Sequence, residues 1–134
     1  MRYFYFDTSI WLDVYEKRGR NGEVAFEFLT KIIDEDSLVL FSNLIISELK
    51  NLGYSKETII DVIKILPYEN VRKIEISRSQ LDEAKKVSLI KEIPKKDALH
   101  AILCRDNYAQ LISRDAHFNK IKYISIARVP EDFI

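Results

Sequence analysis

Short apolar runs alternate along this chain with stretches whose apolar positions recur every three or four residues. Tyr3-Phe4-Tyr5-Phe6 is an aromatic run of strong strand preference and reads as a buried first strand. Asp7, Thr8 and Ser9 follow at once, each able to cap a helix start, and Ile10, Trp11, Val14 and Tyr15 set that helix over 10–18. Val24, Phe28 and Ile32, with Ala25 and Leu29, form one stripe of a second helix over 22–34. Leu38-Val39-Leu40-Phe41 is a continuous apolar strand, after which Ser42 and Asn43 cap a helix closed by Gly53. Another helix starts at Ser55 and ends before Pro67. Residues 71–76 suit a strand or an extended connector, and the charged stretch 77–91 a helix. Pro94 belongs in the first turn of a helix reaching about Asp106. A strand over 109–112, closed by Ser113-Arg114-Asp115, and a last strand over 123–127 complete the pattern.

Strands alternating with helices imply a parallel sheet covered on both faces, and such sheets bind ligands beyond the carboxyl ends of their strands. Asp7 follows the first strand directly and Asp115 follows the 109–112 strand at a similar offset, so both carboxylates belong at one sheet edge. Glu48 lies one helical turn from Leu44 and one from Leu52, on or beside an apolar stripe. Asp97 has Ala101 and Cys104 one and two turns further along, small residues that let the helix approach the sheet and carry the carboxylate inward.

Buried carboxylates without partners are costly. Two of them about 4 Å apart repel by roughly 4 kcal/mol at an effective dielectric of 20. A converging set therefore needs positive charge, and oxygen-rich clusters suit Mg²⁺ or Mn²⁺. Such an ion lowers the pKa of a bound water and stabilises charge building on a phosphoryl oxygen, so hydrolysis of a phosphodiester is the favoured reaction.

Composition narrows the class. The chain has 134 residues, 47% hydrophobic and 31% charged, which suits one soluble globular domain over 1–134. With 21 basic and 21 acidic residues there is no global basic field, so any grip on nucleic acid must be a local patch. One cysteine, Cys104, excludes an internal disulfide framework and suits a reducing cytosol. Asp7 interrupts the apolar start before a signal-peptide core is complete, and no run approaches the roughly 20 apolar residues of a membrane span. A cytoplasmic protein is expected.

Phe6-Asp7-Thr8-Ser9, Ser47-Glu48-Leu49, Pro94-Lys95-Lys96-Asp97-Ala98-Leu99 and Ile112-Ser113-Arg114-Asp115-Ala116-His117-Phe118 resemble, in order and spacing, the motifs of the PIN-domain family, especially its VapC-type toxins. The resemblance implies a three-layer α/β/α sandwich around a central, mainly parallel sheet. It also implies Mg²⁺- or Mn²⁺-dependent cleavage of RNA, a homodimer and a cognate antitoxin. It assigns Asp7, Glu48, Asp97 and Asp115 as metal ligands or ligand-orienting groups, and Ser113 as support for a water or a carboxylate. Thr8 would bond Asp7 or nearby backbone.

Each of these residues also has a plainer role. Asp7 can be only a cap, Asp115 only a turn residue, Glu48 a surface acid, and Asp97 an early-helix acid favoured by the macrodipole. His100 suits a packed or hydrogen-bonded side chain, His117 faces solvent, and Cys104 is a core thiol. Lys96 and Arg114, beside the acids, can hold substrate phosphates, while Lys17, Arg18 and Arg20 form a third basic group. Trp11, Tyr15, Phe26 and Phe28 suit core or dimer packing. Two other functions compete: a catalytically silent interaction module of the same fold, and a phosphoacceptor or phosphatase domain. The latter lacks its Asp-x-Asp, because Thr8-Ser9 follows Asp7.

Overall fold

In the computed structural model, which describes residues 2–134, the aromatic run forms strand β1 (Tyr3–Phe6) at the heart of the molecule. Strands β2 (Leu38–Phe41), β3 (Val71–Lys73) and β4 (Gln110–Ile112) join it in one sheet of order β3-β2-β1-β4. Every pairing is parallel, with Tyr5 opposite Leu40 on one side and Leu111 on the other.

Helices α1 (Thr8–Tyr15) and α2 (Gly19–Asp34) lead from β1 to β2, and α3 (Asn43–Asn51) and α4 (Lys56–Ile63) from β2 to β3. The chain then returns across the sheet through α5 (Arg78–Lys91) and α6 (Lys95–Asp106) to β4. Parallel crossovers are right-handed, so connections stepping in opposite directions occupy opposite faces. The alternation of β1 agrees. Phe4 and Phe6 meet Phe28 and Trp11 of the α1/α2 layer, with ring centroids 5.1–5.4 Å apart for Phe4–Phe28 and Phe6–Trp11. Tyr5 points the other way, 5.4 Å from the His100 ring of α6. The result is an α/β sandwich whose central strand is buried on both sides.

Serine hydroxyls cap α3, α4 and α5 from Ser42, Ser55 and Ser77, the last in a reciprocal capping box with Gln80. Between α1 and α2 the chain turns sharply, and Gly22 sits where a β-carbon would lie 2.6 Å from the Asp13 carbonyl oxygen. Only glycine allows that approach. Helix α6 is buried without a break from Asp97 to Cys104, so its acid and its histidine lie inside the molecule.

The expected strand over 123–127 does not form. Residues 116–121 wind into a 3₁₀ turn instead, anchored by buried Phe118 and Ile121. The following segment spends its polar groups elsewhere: Ser125 donates to the Ala101 carbonyl (2.8 Å), and the Gln110 side-chain amide donates to the Ile126 carbonyl (2.8 Å). Backbone contact with the β4 edge comes only at Arg128, bridged to Ile112. Strand β3 likewise stops at Lys73, short of the expected 76, and α4 stops at Ile63, with a 3₁₀ turn at Tyr68–Asn70 after Pro67. Among the described residues, no helix is long and apolar enough to cross a membrane.

Candidate active site

Beyond the carboxyl ends of β1 and β4 lies a cleft of about 530 Å³ whose lining includes Asp7, Glu48, Asp97 and Asp115. Four separate elements deliver these acids. Asp7 ends β1 and caps α1, its Oδ1 accepting the Thr8 N–H (2.7 Å) and its Oδ2 the Ser113 hydroxyl (2.8 Å). Ser113, itself buried, also accepts the Asp115 N–H (3.0 Å). One hydroxyl thus ties the β1 acid to the acid that follows β4. Asp115 in turn caps the 3₁₀ turn, accepting the His117 N–H at 2.9 Å.

Glu48 projects from α3 beside its buried residues Ile45 and Leu49. The expected stripe of Leu44 and Leu52 is displaced by one position, and Leu52 is 62% exposed. The carboxylate is nonetheless mostly buried, with 13% of its side chain exposed. Its Oε1 accepts the Thr8 hydroxyl (2.7 Å) and lies 2.7 Å from His100 Nε2. The Thr8 side chain therefore serves Glu48, while its backbone serves Asp7.

The sequence favours His100 as a packed or hydrogen-bonded residue over a metal ligand paired with Asp97 as Asp-x-x-His; its position shows which bonds it makes. The ring is fully buried, with Nδ1 2.8 Å from the Tyr5 hydroxyl, and that hydroxyl lies 2.9 Å from Ser42 Oγ. Counting protons fixes their direction. Glu48 Oε1, a carboxylate oxygen, can only accept, so Nε2 carries the ring proton. With that one proton on the ring, Nδ1 accepts from the Tyr5 hydroxyl. This leaves the Ser42 hydroxyl, whose Oγ accepts the Leu44 N–H, to donate to the Tyr5 oxygen. Burial, aided by the charges of Glu48 and Asp7 nearby, keeps the phenol protonated well above its ordinary range against the Ser42 hydrogen bond. Tyr5 then donates to Nδ1, and His100 Nε2 carries the proton presented to Glu48. Hydroxyl, phenol and imidazole are all satisfied, which a buried polar chain requires.

Asp97 lies in the first turn of α6 and is buried, 4% exposed. Its Oδ2 is 2.8 Å from His117 Nδ1, which is also 3.2 Å from Asp115 Oδ1. His117 thus keeps the solvent exposure expected of it, with half of its side chain exposed, while its Nδ1 turns onto the acids. A 3₁₀ turn in place of a simple loop swings it inward, and nothing in the spacing of Asp115 and His117 signals that turn.

The carboxyls of the two helix-borne acids are shifted in opposite directions. Burial drives the Asp97 carboxyl above its ordinary value, the charges of Asp115 and Asp7 add to this, and the His117 hydrogen bond offsets part of it. Burial also raises Glu48, but hydrogen bonds from His100 and Thr8 and the Lys96 ammonium outweigh it and hold the carboxyl below its ordinary value.

The basic residues divide. Lys96 lines the cleft, with Nζ 3.7 Å from Glu48 Oε2 and over half of its side chain exposed. Arg114, expected to meet substrate, is instead held by both oxygens of Glu131 at 3.0 and 2.8 Å and is absent from the cleft lining. Arg18 lines the cleft in its stead, steadied by Glu16 and Asp13. Tyr15 is partly buried, Trp11 and Phe28 are core residues, and Phe26 is 63% exposed. Cys104 is a buried core thiol.

The donor set suits a divalent cation. Four carboxylates share a cleft that has only two partly exposed cationic side chains on its lining, and the ligand atoms of Asp7, Glu48 and His100, and of Asp97, Asp115 and His117, lie within 4.8 Å of one another in each group. A parallel α/β sheet with an acidic cleft at the carboxyl ends of β1 and its neighbour β4 defines the class. The PIN domain family model matches residues 4–123, and the chain belongs to that family. PIN nucleases use divalent metal. Two solved structures share the fold. One is VapBC2 from Rickettsia felis bound to a DNA fragment from their promoter, at 16% identity, 95% coverage of this chain, 98% of that chain and a TM-score of 0.70. The other is a toxin-antitoxin complex from Klebsiella pneumoniae, at 17% identity, 95% and 97% coverage and a TM-score of 0.64. No curated protein matches the sequence.

Proposed function

We propose that this chain is a divalent-metal-dependent endoribonuclease, the toxin of a toxin–antitoxin pair, acting in the cytoplasm on RNA phosphodiester bonds. The observation that carries the reading is the convergence of Asp7, Glu48, Asp97 and Asp115 from four elements on one cleft. Mg²⁺ or Mn²⁺ bound there supplies neutralising charge for a phosphoryl oxygen and activates water. Asp97, the most buried acid, and Asp7, held at both oxygens, are the ligands with least freedom to move. Thr8 and His100 saturate Oε1 of Glu48, whereas Oε2 faces only the Lys96 ammonium at 3.7 Å. Lys96 and Arg18 are the side chains placed to hold substrate phosphates.

An antitoxin is the partner this reading implies, since one of the solved structures named above is described as a toxin-antitoxin complex and another as VapBC2 bound to a DNA fragment from their promoter. The groove lined by Val14, Tyr15, Phe26 and Leu29 offers it an apolar surface. A homodimer is the second association, and exposed Leu89 and Ile90 of α5 supply an apolar face for it.

The test is incubation of the purified chain with mixed RNA plus Mn²⁺ or Mg²⁺, then with a chelator, alongside Asp97→Asn. Cleavage should need the metal and fall on the order of 10²–10³-fold in a variant that remains folded by circular dichroism. Chelator-resistant cleavage, or full activity in Asp97→Asn, would defeat the proposal.

A further inference from the structure

The ionisable groups of the cleft fall into two clusters, each with an imidazole: Asp7, Glu48 and His100, and Asp97, Asp115 and His117. The two histidines differ in what their nitrogens are free to do. Both nitrogens of His100 are committed to buried protein groups, Nδ1 to the Tyr5 hydroxyl and Nε2 to Glu48. Binding a cation through that ring would break a chain of hydrogen bonds running back to Ser42. His117 is committed only through the Nδ1 of its ring, and only to the acids themselves. Its ring is half exposed, and Nδ1 rests between two carboxylates, 2.8 Å from Asp97 Oδ2 and 3.2 Å from Asp115 Oδ1.

That placement has a geometric consequence. Oxygen and nitrogen donors about 2.0–2.2 Å from a common ion lie no more than about 4.4 Å apart. Both His117 separations fall well inside that limit. A cation bridging Asp97 and Asp115 must therefore either take the imidazole as a ligand or displace it. Displacement is disfavoured because the residue is fixed at its root: its own N–H bonds Asp115 Oδ1, and Phe118 next to it is buried.

We propose that Asp97, Asp115 and His117 form a mixed nitrogen–oxygen cation site in which His117 Nδ1 is a ligand, the proton it shares with Asp97 being released on binding so that the ring holds its remaining proton on Nε2. The site consequently prefers Mn²⁺ and other imidazole-tolerant first-row ions to Mg²⁺. Mg²⁺ favours oxygen donors and retained water, whereas imidazole suits the later ions. The inference rests on the metal-dependent reading of the cleft and deepens it by naming which ion the chain selects.

Pulsed electron paramagnetic resonance of the Mn²⁺-loaded full chain reads the ligand directly, through ¹⁴N coupling. The coupling should be present in the unaltered protein, persist in His100→Gln, and vanish in His117→Gln. Calorimetric titration should show Mn²⁺ affinity falling about 10-fold or more in His117→Gln, with Mg²⁺ affinity changing several-fold less. His117 is half exposed, so its replacement leaves the core intact. An oxygen-only Mn²⁺ spectrum in the unaltered protein overturns the inference. So does a coupling that survives His117→Gln or disappears in His100→Gln. The two proposals fail differently: RNA cleavage without ¹⁴N coupling sinks the site alone, and coupling without cleavage of any RNA sinks the nuclease reading alone.

Discussion

On one face of β1, Phe4 and Phe6 sit edge-on to Phe28 and Trp11, and even the Trp11 Nε1 finds no hydrogen-bond partner among the described residues. On the other face, one residue away, Tyr5 starts a chain of hydroxyl, phenol and imidazole that ends on Glu48. The same strand therefore carries a dry aromatic layer and a polar one. The contrast follows from the two-residue period of a strand, which lets neighbours obey different chemistry. It also separates stability from function. Removing aromatic bulk leaves the acids where they are, whereas removing a proton donor leaves the packing but frees a carboxylate.

Phe28→Ala tests the dry face and should have the largest effect. The ring is buried and packs against Phe4, Phe6 and Phe133. Its loss should cost about 3–5 kcal/mol of unfolding free energy in a denaturant titration. RNA cleavage per folded molecule should stay within a few-fold of normal. A larger drop in activity than in stability would erase the distinction between the faces.

His100→Leu tests the wet face. Leucine fills much of the buried volume but deprives Glu48 of one donor and Tyr5 of its acceptor. Outer partners of a metal ligand are typically worth 10–100-fold in affinity or activity, so kcat/KM on RNA should fall by about that factor. His100→Gln, which keeps an N–H donor, should restore part of it. Equal activity in the leucine and glutamine variants would mean that the ring serves packing alone.

The same contrast explains what could be read from the residues alone. Asp7 and Asp97 were legible because each sits where a local rule pins it, at a strand end before a cap and in the first turn of a proline-started helix. Glu48 was legible as an inward acid, but its face was off by a residue, because a nine-residue helix with mixed positions fixes its phase poorly. Thr8 bonding Glu48, Arg114 diverted to Glu131 and His117 turned onto Asp97 are all contacts across 17 to 40 residues of sequence. No local period encodes them. The missing final strand has the same origin: Tyr123 to Ala127 alternates as a strand should, yet Ser125 and the Ile126 carbonyl are claimed by α6 and by Gln110.

The smallest expected effect sets the two helix-borne acids against each other. Asp97 has its carboxyl pKa raised in the fold, chiefly by burial and then by the charges of Asp115 and Asp7. The native protein thus binds that proton more tightly than the unfolded chain does, and stability falls as pH rises from the ordinary Asp range through the raised value. Glu48 has the opposite sign: its lowered pKa adds stability above the ordinary Glu range, lost as pH falls through the folded value. Without metal, Asp97→Asn should therefore stabilise the protein at neutral pH, by roughly the 0.5–2 kcal/mol usual when a destabilised site is relieved. The gain should shrink to nothing as pH drops below the ordinary Asp range. Glu48→Gln should destabilise at neutral pH, again with the difference closing in acid. Unfolding titrations of both variants at several pH values, with chelator present, check the pair. A neutral-pH loss of stability in Asp97→Asn would mean that the His117 bond outweighs burial at that carboxylate, and the strain assigned to the acid would belong elsewhere in the cleft.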